Sequence, residues 1–487
     1  MTVDTLNMLP QAVNAEIRDD GTIILRSPID LPAPEPTIAD VLARQAAERP
    51  DTPFLRQRSG EGWRDLTYGE ARAAARAVGQ WLLNAGCGPD RPAMVLSGNT
   101  IGHGIMSLAC ALSGVPLVPV SAAYSLMSSD YGKVKHIFAD TNPGAIYAET
   151  AAPFQGAMDA LDLSACTILT GDGSAGTGLD QAMQTATGPD DQPLADIGPE
   201  TIAKILYTSG STGMPKGVIN TNRMLAANQE QLRTCWPFLK DMPPVLVDWL
   251  PWNHTFGGNF CFNLVLFNGG TLHIDDGKPA PGLIERTVEN LRLAHPNLYF
   301  NVPAGFAQVI PFLEQDSALA ENFFHDLRAT FYAAAALPPD LWQRLQVLAE
   351  KHCPTPMTMT SAWGSTETAP LCTLVHFPIE RAGVLGLPTP GLELKLAPVG
   401  DKMELRVRGP NITPGYWRQP ERFADALDDE GYYAMGDAGR LADPADPAAG
   451  VVFDGRVAED FKLTTGVWVN VSGLRVGIIS ETAPLVT

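Results

Sequence analysis

Apolar residues recur at helical spacing over 40–48 and 68–85, two stretches rich in Ala, Leu and Arg. Short apolar runs follow at 92–96, 115–120, 145–147 and 167–170, and these read as strands. Ser97-Gly98-Asn99 reads as a turn that opens another helix. Strands alternating with helices predict mostly parallel sheets with helices on both faces, an α/β class. Residues 171–200, rich in Gly, Asp and Pro, read as a surface connection. The second half repeats the style, with strands at 202–206, 244–250, 271–274, 298–302 and 330–334. After Gly383 the texture changes. Residues 392–396 and 403–407 alternate like strands of a small antiparallel sheet or barrel. No internal repeat stands out.

The chain of 487 residues is too long for one simple core and points to about three units. The expected divisions are 1–200, 201–382 and 383–454, with 455–487 as a hinge and the start of a further unit. A hydrophobic content of 45% and a charged content of 18% describe an ordinary globular chain. The formal net charge of −20 argues against nucleic acid or an anionic membrane surface as partner. The most apolar stretch, 105–120, is interrupted by Gly114, Pro116 and Pro119, so a helix and a buried strand explain it better than a membrane span. The seven cysteines (Cys87, Cys110, Cys166, Cys235, Cys261, Cys353 and Cys372) are odd in number and contain no C-x-x-C pair. They read as reduced thiols in a cytoplasmic protein, and no secretory signal pattern opens the chain.

The candidate chemistry centres on YTSGSTGMPKGV, residues 207–218. Gly210 and Gly213 let backbone N–H groups approach a ligand closely. Ser209, Ser211 and Thr212 add hydroxyls, with Thr208 beside them, and Lys216 adds a mobile positive charge suited to phosphate. The stretch fails the G-x-x-x-x-G-K-[ST] phosphate-loop pattern: Gly210 to Gly213 is too short a spacing, a Met-Pro pair precedes Lys216, and Gly217 stands where Ser or Thr is needed. A flexible surface loop is the alternative, since Gly/Ser/Thr clusters usually mean that.

The stretch resembles the phosphate-loop signature of the adenylate-forming superfamily, which comprises acyl-CoA synthetases, peptide-synthetase adenylation domains and luciferases. PWNHTFGG (251–258), WGSTE (363–367), YAMGD (433–437) and GRVAEDFK (455–462) resemble its acyl-pocket, adenine-and-metal, ribose and hinge motifs, in the family's order. SGNTIGH (97–103), 123–137 and 457–471 look most like feruloyl-CoA synthetases. The resemblance implies the superfamily's large-domain fold: two mostly parallel sheets with flanking helices, plus a small antiparallel β-barrel. It also implies ATP, Mg²⁺ and CoA as co-substrates or cofactors.

By the same resemblance, Thr208 to Gly213 and Lys216 hold phosphates, Glu367 binds Mg²⁺, and Thr366 bonds the α-phosphate. Trp363 stacks on adenine beside Gly364, Ala334 and Ala335, where the family more often has glycine. Asp437 takes the ribose hydroxyls with Arg456 behind it. Trp252, His254, Tyr299 and Asn301 border the acid. For Glu367, Trp363, Asp437 and Tyr299 the plainer alternatives are a solvent-facing acid, a core indole, a turn residue and a buried strand. Lys462 matches a lysine that contacts the substrate region, and Ala458 replaces the usual Asp or Lys of the hinge. Only 31 residues follow Arg456, fewer than the roughly 50 of a self-standing domain, so the family's mobile lid is expected to be missing. The leading reading is an acid–CoA ligase for a hydroxycinnamate such as ferulate. The alternatives are a ligase for another aryl or fatty acid, or a nucleotide- and acid-binding module. The oligomeric state is left open, a homodimer included.

Overall fold

The computed structural model describes residues 6–190, 192–208, 213–379 and 381–457 in full, and the backbone alone of 461–462 and 468–469. Helix ends follow local chemistry. Thr37 accepts from the Asp40 N–H to cap Ile38–Glu48, and Thr67 with Glu70 forms a capping box on Tyr68–Asn84. Thr100 caps Ile101–Ser113, a helix buried along its whole length that stops at Gly114 in the left-handed conformation. The apolar stretch after residue 105 is thus a core helix and the strand Leu117–Pro119. Among the described residues no helix is long and apolar enough to cross a membrane.

Three sheets carry the fold. Sheet A has seven strands, in the order Lys216–Thr221, Ile202–Thr208, Leu117–Pro119, Ala93–Val95, Ala145–Ala148, Thr167–Thr170 and Thr177–Gly178. Its strands run parallel except for the antiparallel pair that brackets the phosphate-loop sequence. Sheet B has eleven strands and begins with the parallel trio Leu298–Asn301, Ala329–Tyr332 and Thr358–Gly364. Sheet C joins Val245–Asp248 and Thr271–Ile274 to the hairpin Pro53–Ser59/Gly62–Thr67.

The expected α/β fold is present, but its sheets are mixed: sheet A is mostly parallel, sheet B is mostly antiparallel, and among the described residues there is no separate closed barrel. Leu371–Leu374 pairs antiparallel with Thr358–Gly364, and Val384–Pro388, Val451–Arg456, Tyr433–Leu441, Lys402–Arg408 and Glu393–Val399 continue sheet B. The edge at Glu393–Val399 is taken by the N-terminal hairpin Asn14–Ile17/Ile23–Arg26, with Leu394 opposite Leu25. An edge paired in this way has no need to curl onto its own sheet. Sheet membership also crosses the division expected at residue 200, since Ile202–Thr208 pairs with Leu117–Pro119. The connection at 171–200 contains a two-residue strand and the short helix Leu179–Ala182. All seven cysteines are free thiols.

Candidate active site

The antiparallel pair of sheet A ends with Thr208 opposite Lys216, so the loop between them leaves from a defined mouth. Ser209, Gly210, Ser211 and Thr212 lie outside the described residues. Gly213 has φ +122°, and a Cβ built there would meet nothing within 4 Å. Among the described residues, the Thr208 hydroxyl is buried without a hydrogen-bond partner.

A second element reaches the same mouth from sheet B. After Thr358–Gly364 the chain makes a short 3₁₀ turn, Thr366–Thr368. Gly364 is needed because a Cβ there would lie 1.7 Å from the Pro370 carbonyl oxygen. The Ser365 hydroxyl accepts from the Glu367 N–H at 3.2 Å and donates to Glu367 Oε2 at 2.9 Å. Glu367 Oε1 faces Lys216 Nζ at 2.9 Å. Thr366 sits half-exposed on the same turn.

Tyr416 closes the arrangement. Its hydroxyl accepts from Lys216 Nζ at 2.6 Å, donates to Glu367 Oε1 at 3.0 Å and lies 2.9 Å from the Tyr433 hydroxyl. The Lys216 ammonium also sits 4.0 Å from the Tyr416 ring centroid. The segment carrying Tyr416 is clamped on both sides. The Thr413 N–H donates to the Glu367 carbonyl at 2.8 Å, and the Trp417 N–H donates to the Gly217 carbonyl at 2.7 Å. Burial pushes the Glu367 carboxyl up, but the charge and hydrogen bond of Lys216, with help from Ser365, outweigh it and hold it below the usual range. Burial and then the Glu367 charge raise the Tyr416 phenol, which therefore stays protonated. Tyr416, Tyr433 and Ser365 were missed in the sequence. Of these, only Ser365 and Tyr433 lay inside a quoted motif.

A second cluster forms within sheet B, between Thr358–Gly364 and the pair Tyr433–Leu441/Val451–Arg456. The Trp363 indole N–H donates to Asp437 Oδ2 at 2.9 Å, and Arg456 Nε lies 3.4 Å from Asp437 Oδ1. Asp437 and Arg456 are direct cross-strand partners. Ala334 and Ala335 are exposed just beyond Ala329–Tyr332, and Ala334 has φ +72°. The Lys462 side chain and Ala458 lie outside the described residues.

The four residues expected around the acid are placed differently from one another. His254 is exposed, at the start of a segment that runs into a π-helical turn, Phe256–Cys261. Trp252 is buried, edge-on to His103 and Phe262 at centroid distances of 5.2 and 4.9 Å. Tyr299 packs edge-on against Phe306 and Phe323. Asn301 is fully buried. It donates to the Tyr299 hydroxyl at 3.0 Å and accepts from Trp249 Nε1 at 3.2 Å and the Val302 N–H at 2.9 Å. The structure thus joins Lys216 to Glu367, Trp363 to Asp437 and Arg456, and Tyr299 to Asn301. It puts Trp252 among core rings.

Residues 42–417 match the profile of a family described as AMP-binding enzyme. A long-chain-fatty-acid–CoA ligase of Escherichia coli O6:H1 is 29% identical over 253 residues, covering 50% of this chain and 42% of the ligase. A feruloyl-CoA synthase of an Amycolatopsis species is 26% identical over 387 residues, covering 76% of this chain and 70% of the synthase. A solved malonyl-CoA ligase with methylmalonyl-CoA and AMP bound superposes with a TM-score of 0.65 at 26% identity, over 89% of this chain and 84% of that one. The chain therefore aligns with less than half the length of the E. coli ligase. With the profile spanning most of its length and the fold shared with that ligase structure, the chain belongs to the AMP-binding enzyme family.

Proposed function

We propose that the chain is an ATP-dependent acid–CoA ligase that adenylates an aromatic, hydroxycinnamate-like carboxylic acid and passes the acyl group to CoA. The observation that carries this reading is the Lys216–Glu367–Tyr416 cluster at the loop mouth. In the first step a substrate carboxylate oxygen attacks the α-phosphorus of ATP. A C–O–P bond forms and the bond to pyrophosphate breaks. In the second step the CoA sulfur attacks the acyl carbon, a C–S bond forms, AMP leaves and the thiol proton passes to solvent.

Both partners in the first step are anions, so alignment and charge neutralisation are the main task. Lys216 moves from Glu367 to the phosphates, and Thr208 and the loop N–H groups supply further donors. Glu367 is the residue that would hold Mg²⁺, since an ionised carboxylate beside phosphates suits that ion. Mg²⁺ would supply further neutralisation of phosphate charge. Tyr416 bonds to both Lys216 and Glu367 and so keeps them poised at the loop mouth before the nucleotide arrives. Asp437 takes the ribose hydroxyls, with Arg456 and Trp363 fixing its carboxylate. His254 orients the acid and need not act as a base, because a carboxylic acid is ionised at pH 7.

The aromatic preference is supported by the match to the Amycolatopsis synthase and by the half-buried rings of Trp249 and Phe256 on either side of the segment that carries His254. Pyrophosphate release with ferulate, and separately with decanoate, tests it. Ferulate is expected to give the higher kcat/KM, and a preference for decanoate would replace the aromatic reading with a fatty-acid one.

A further inference from the structure

Lys204 is a lysine in the middle of the strand Ile202–Thr208, and it is 4% exposed. Its ammonium lies 5.6 Å from the Phe262 ring centroid and donates to the Gly258 carbonyl at 2.6 Å. Its cross-strand partner is Asn220, whose side-chain oxygen accepts from Asn259 Nδ2 at 2.8 Å. Two facing residues of one hairpin therefore hold two consecutive residues of the π-helical turn Phe256–Cys261. Gln229 adds a third link, donating to the Asn259 carbonyl at 3.2 Å. A π turn inserts a residue into the helical ladder, and such turns concentrate at functional sites.

The turn has little freedom elsewhere. A Cβ on Gly257 would lie 2.2 Å from the Leu250 carbonyl oxygen, and one on Gly258 would lie 2.2 Å from that of Trp252. The His254 carbonyl accepts from the Gly258 N–H at 2.8 Å, so what holds Gly258 also holds His254. At the other end of the same hairpin are Thr208 and Lys216. Thr208 lies four residue steps along the strand from Lys204, about 13 Å at ~3.3 Å per residue. One rigid hairpin thus ties the loop mouth to the segment that begins with His254.

An amine in an apolar site costs stability, and a methionine would fill the same space without that cost. Stability alone therefore does not call for lysine here. Burial pulls the Lys204 amine down to about 7, and both the amine and the ammonium can donate to a carbonyl, so the link survives either state.

We propose that Lys204 is a positioning residue for the carboxylic-acid substrate, holding Gly258 and through it His254 in register with the phosphate-binding hairpin. The proposal rests on the ligase reading above.

The test compares wild type with Lys204→Met in pyrophosphate release, titrating ferulate at saturating ATP and ATP at saturating ferulate. The expected result is a KM for ferulate raised about tenfold, a KM for ATP within twofold of wild type, and a melting temperature that does not fall. Faster amide exchange at 256–262, with exchange at 339–352 unchanged, is expected alongside. A folded variant with unchanged KM for ferulate overturns the proposal, and so does one in which both KM values rise together. Should Lys204→Met not fold, Lys204→Gln decides by the same titrations, with at least a threefold rise for ferulate alone expected and equal KM values overturning the proposal. A wild type that releases no pyrophosphate with ferulate removes the ligase reading for this acid and the inference with it. Release by wild type with unaltered variants removes the inference alone.

Discussion

The loop mouth and the proposed acid side of the molecule use polar residues in opposite ways. At the mouth, Lys216, Glu367, Tyr416 and Tyr433 are bonded chiefly to one another, between elements of two different sheets. On the acid side, Asn301 bonds to Trp249, Tyr299 and its own neighbour Val302 inside a packed core. The first set holds opposite charges that incoming ligands can exchange with. The second is a hydrogen-bonded network on a buried asparagine whose worth lies in keeping a shape. Substitutions at the mouth should therefore cost rate, and those on the acid side should cost stability.

The largest effect is expected from Glu367→Gln and Lys216→Ala. Losing one such electrostatic contact typically lowers rate by about 10²–10³. Pyrophosphate release should fall by that order while the urea midpoint of Glu367→Gln stays near wild type. A large loss of stability in Glu367→Gln with rate preserved would reverse the comparison.

Asn301→Ala is expected to do the opposite. It strands the part-buried Trp249 indole N–H and Val302 N–H and removes the donor to the buried Tyr299 hydroxyl. The cost should be about 3 kcal/mol in urea unfolding, from roughly 1–3 kcal/mol for each unsatisfied group. An unchanged unfolding midpoint would show that the network tolerates water or repacking.

The pH dependence of stability isolates Lys204. Its folded value of about 7 lies below the 10.5 of an unfolded lysine. Between those values the unfolded chain binds more protons, so this group makes stability rise with pH. Its penalty is gone above about 10.5 and complete once pH falls through about 7. Lys204→Met should therefore be the more stable protein at pH 7, by about 2 kcal/mol. The gap should narrow as pH approaches 10, measured by urea unfolding of both proteins at each pH. A gap that does not change with pH would contradict a depressed lysine.

The smallest effect concerns Ala334, held at φ +72°. Relief of left-handed strain is worth about 1–2 kcal/mol, less the roughly 0.5–1 kcal/mol that glycine loses in backbone entropy. Ala334→Gly should therefore gain about 0.5 kcal/mol, read as a small rise in melting temperature. A fall would mean that the alanine methyl makes a contact worth more than the strain.

The elements were legible wherever the signal was local. The helices 38–48 and 68–84 and the strands 145–148, 167–170 and 271–274 follow from periodicity and caps within a few residues. The hairpins Asn14–Ile17/Ile23–Arg26 and Pro53–Ser59/Gly62–Thr67 were not drawn from the pattern. Each is settled by a distant strand, Glu393–Val399 for one and Thr271–Ile274 for the other.

The sequence by itself determined the chemistry on offer: a glycine- and hydroxyl-rich loop ending in Lys216, an acid at Glu367 behind a glycine, and an aspartate at Asp437. Those residue types carry their reactivity wherever they stand. Only the tertiary structure decided which of them meet. It set Tyr416 between Lys216 and Glu367, bonded Trp363 to Asp437, and buried Trp252 among core rings. It also merged the antiparallel strands into sheet B instead of a closed barrel, and brought Lys204 to Gly258 across 54 residues of chain. The reason is range: propensity and periodicity act over a few residues, whereas these contacts depend on which sheet edge finds which partner once the core has packed.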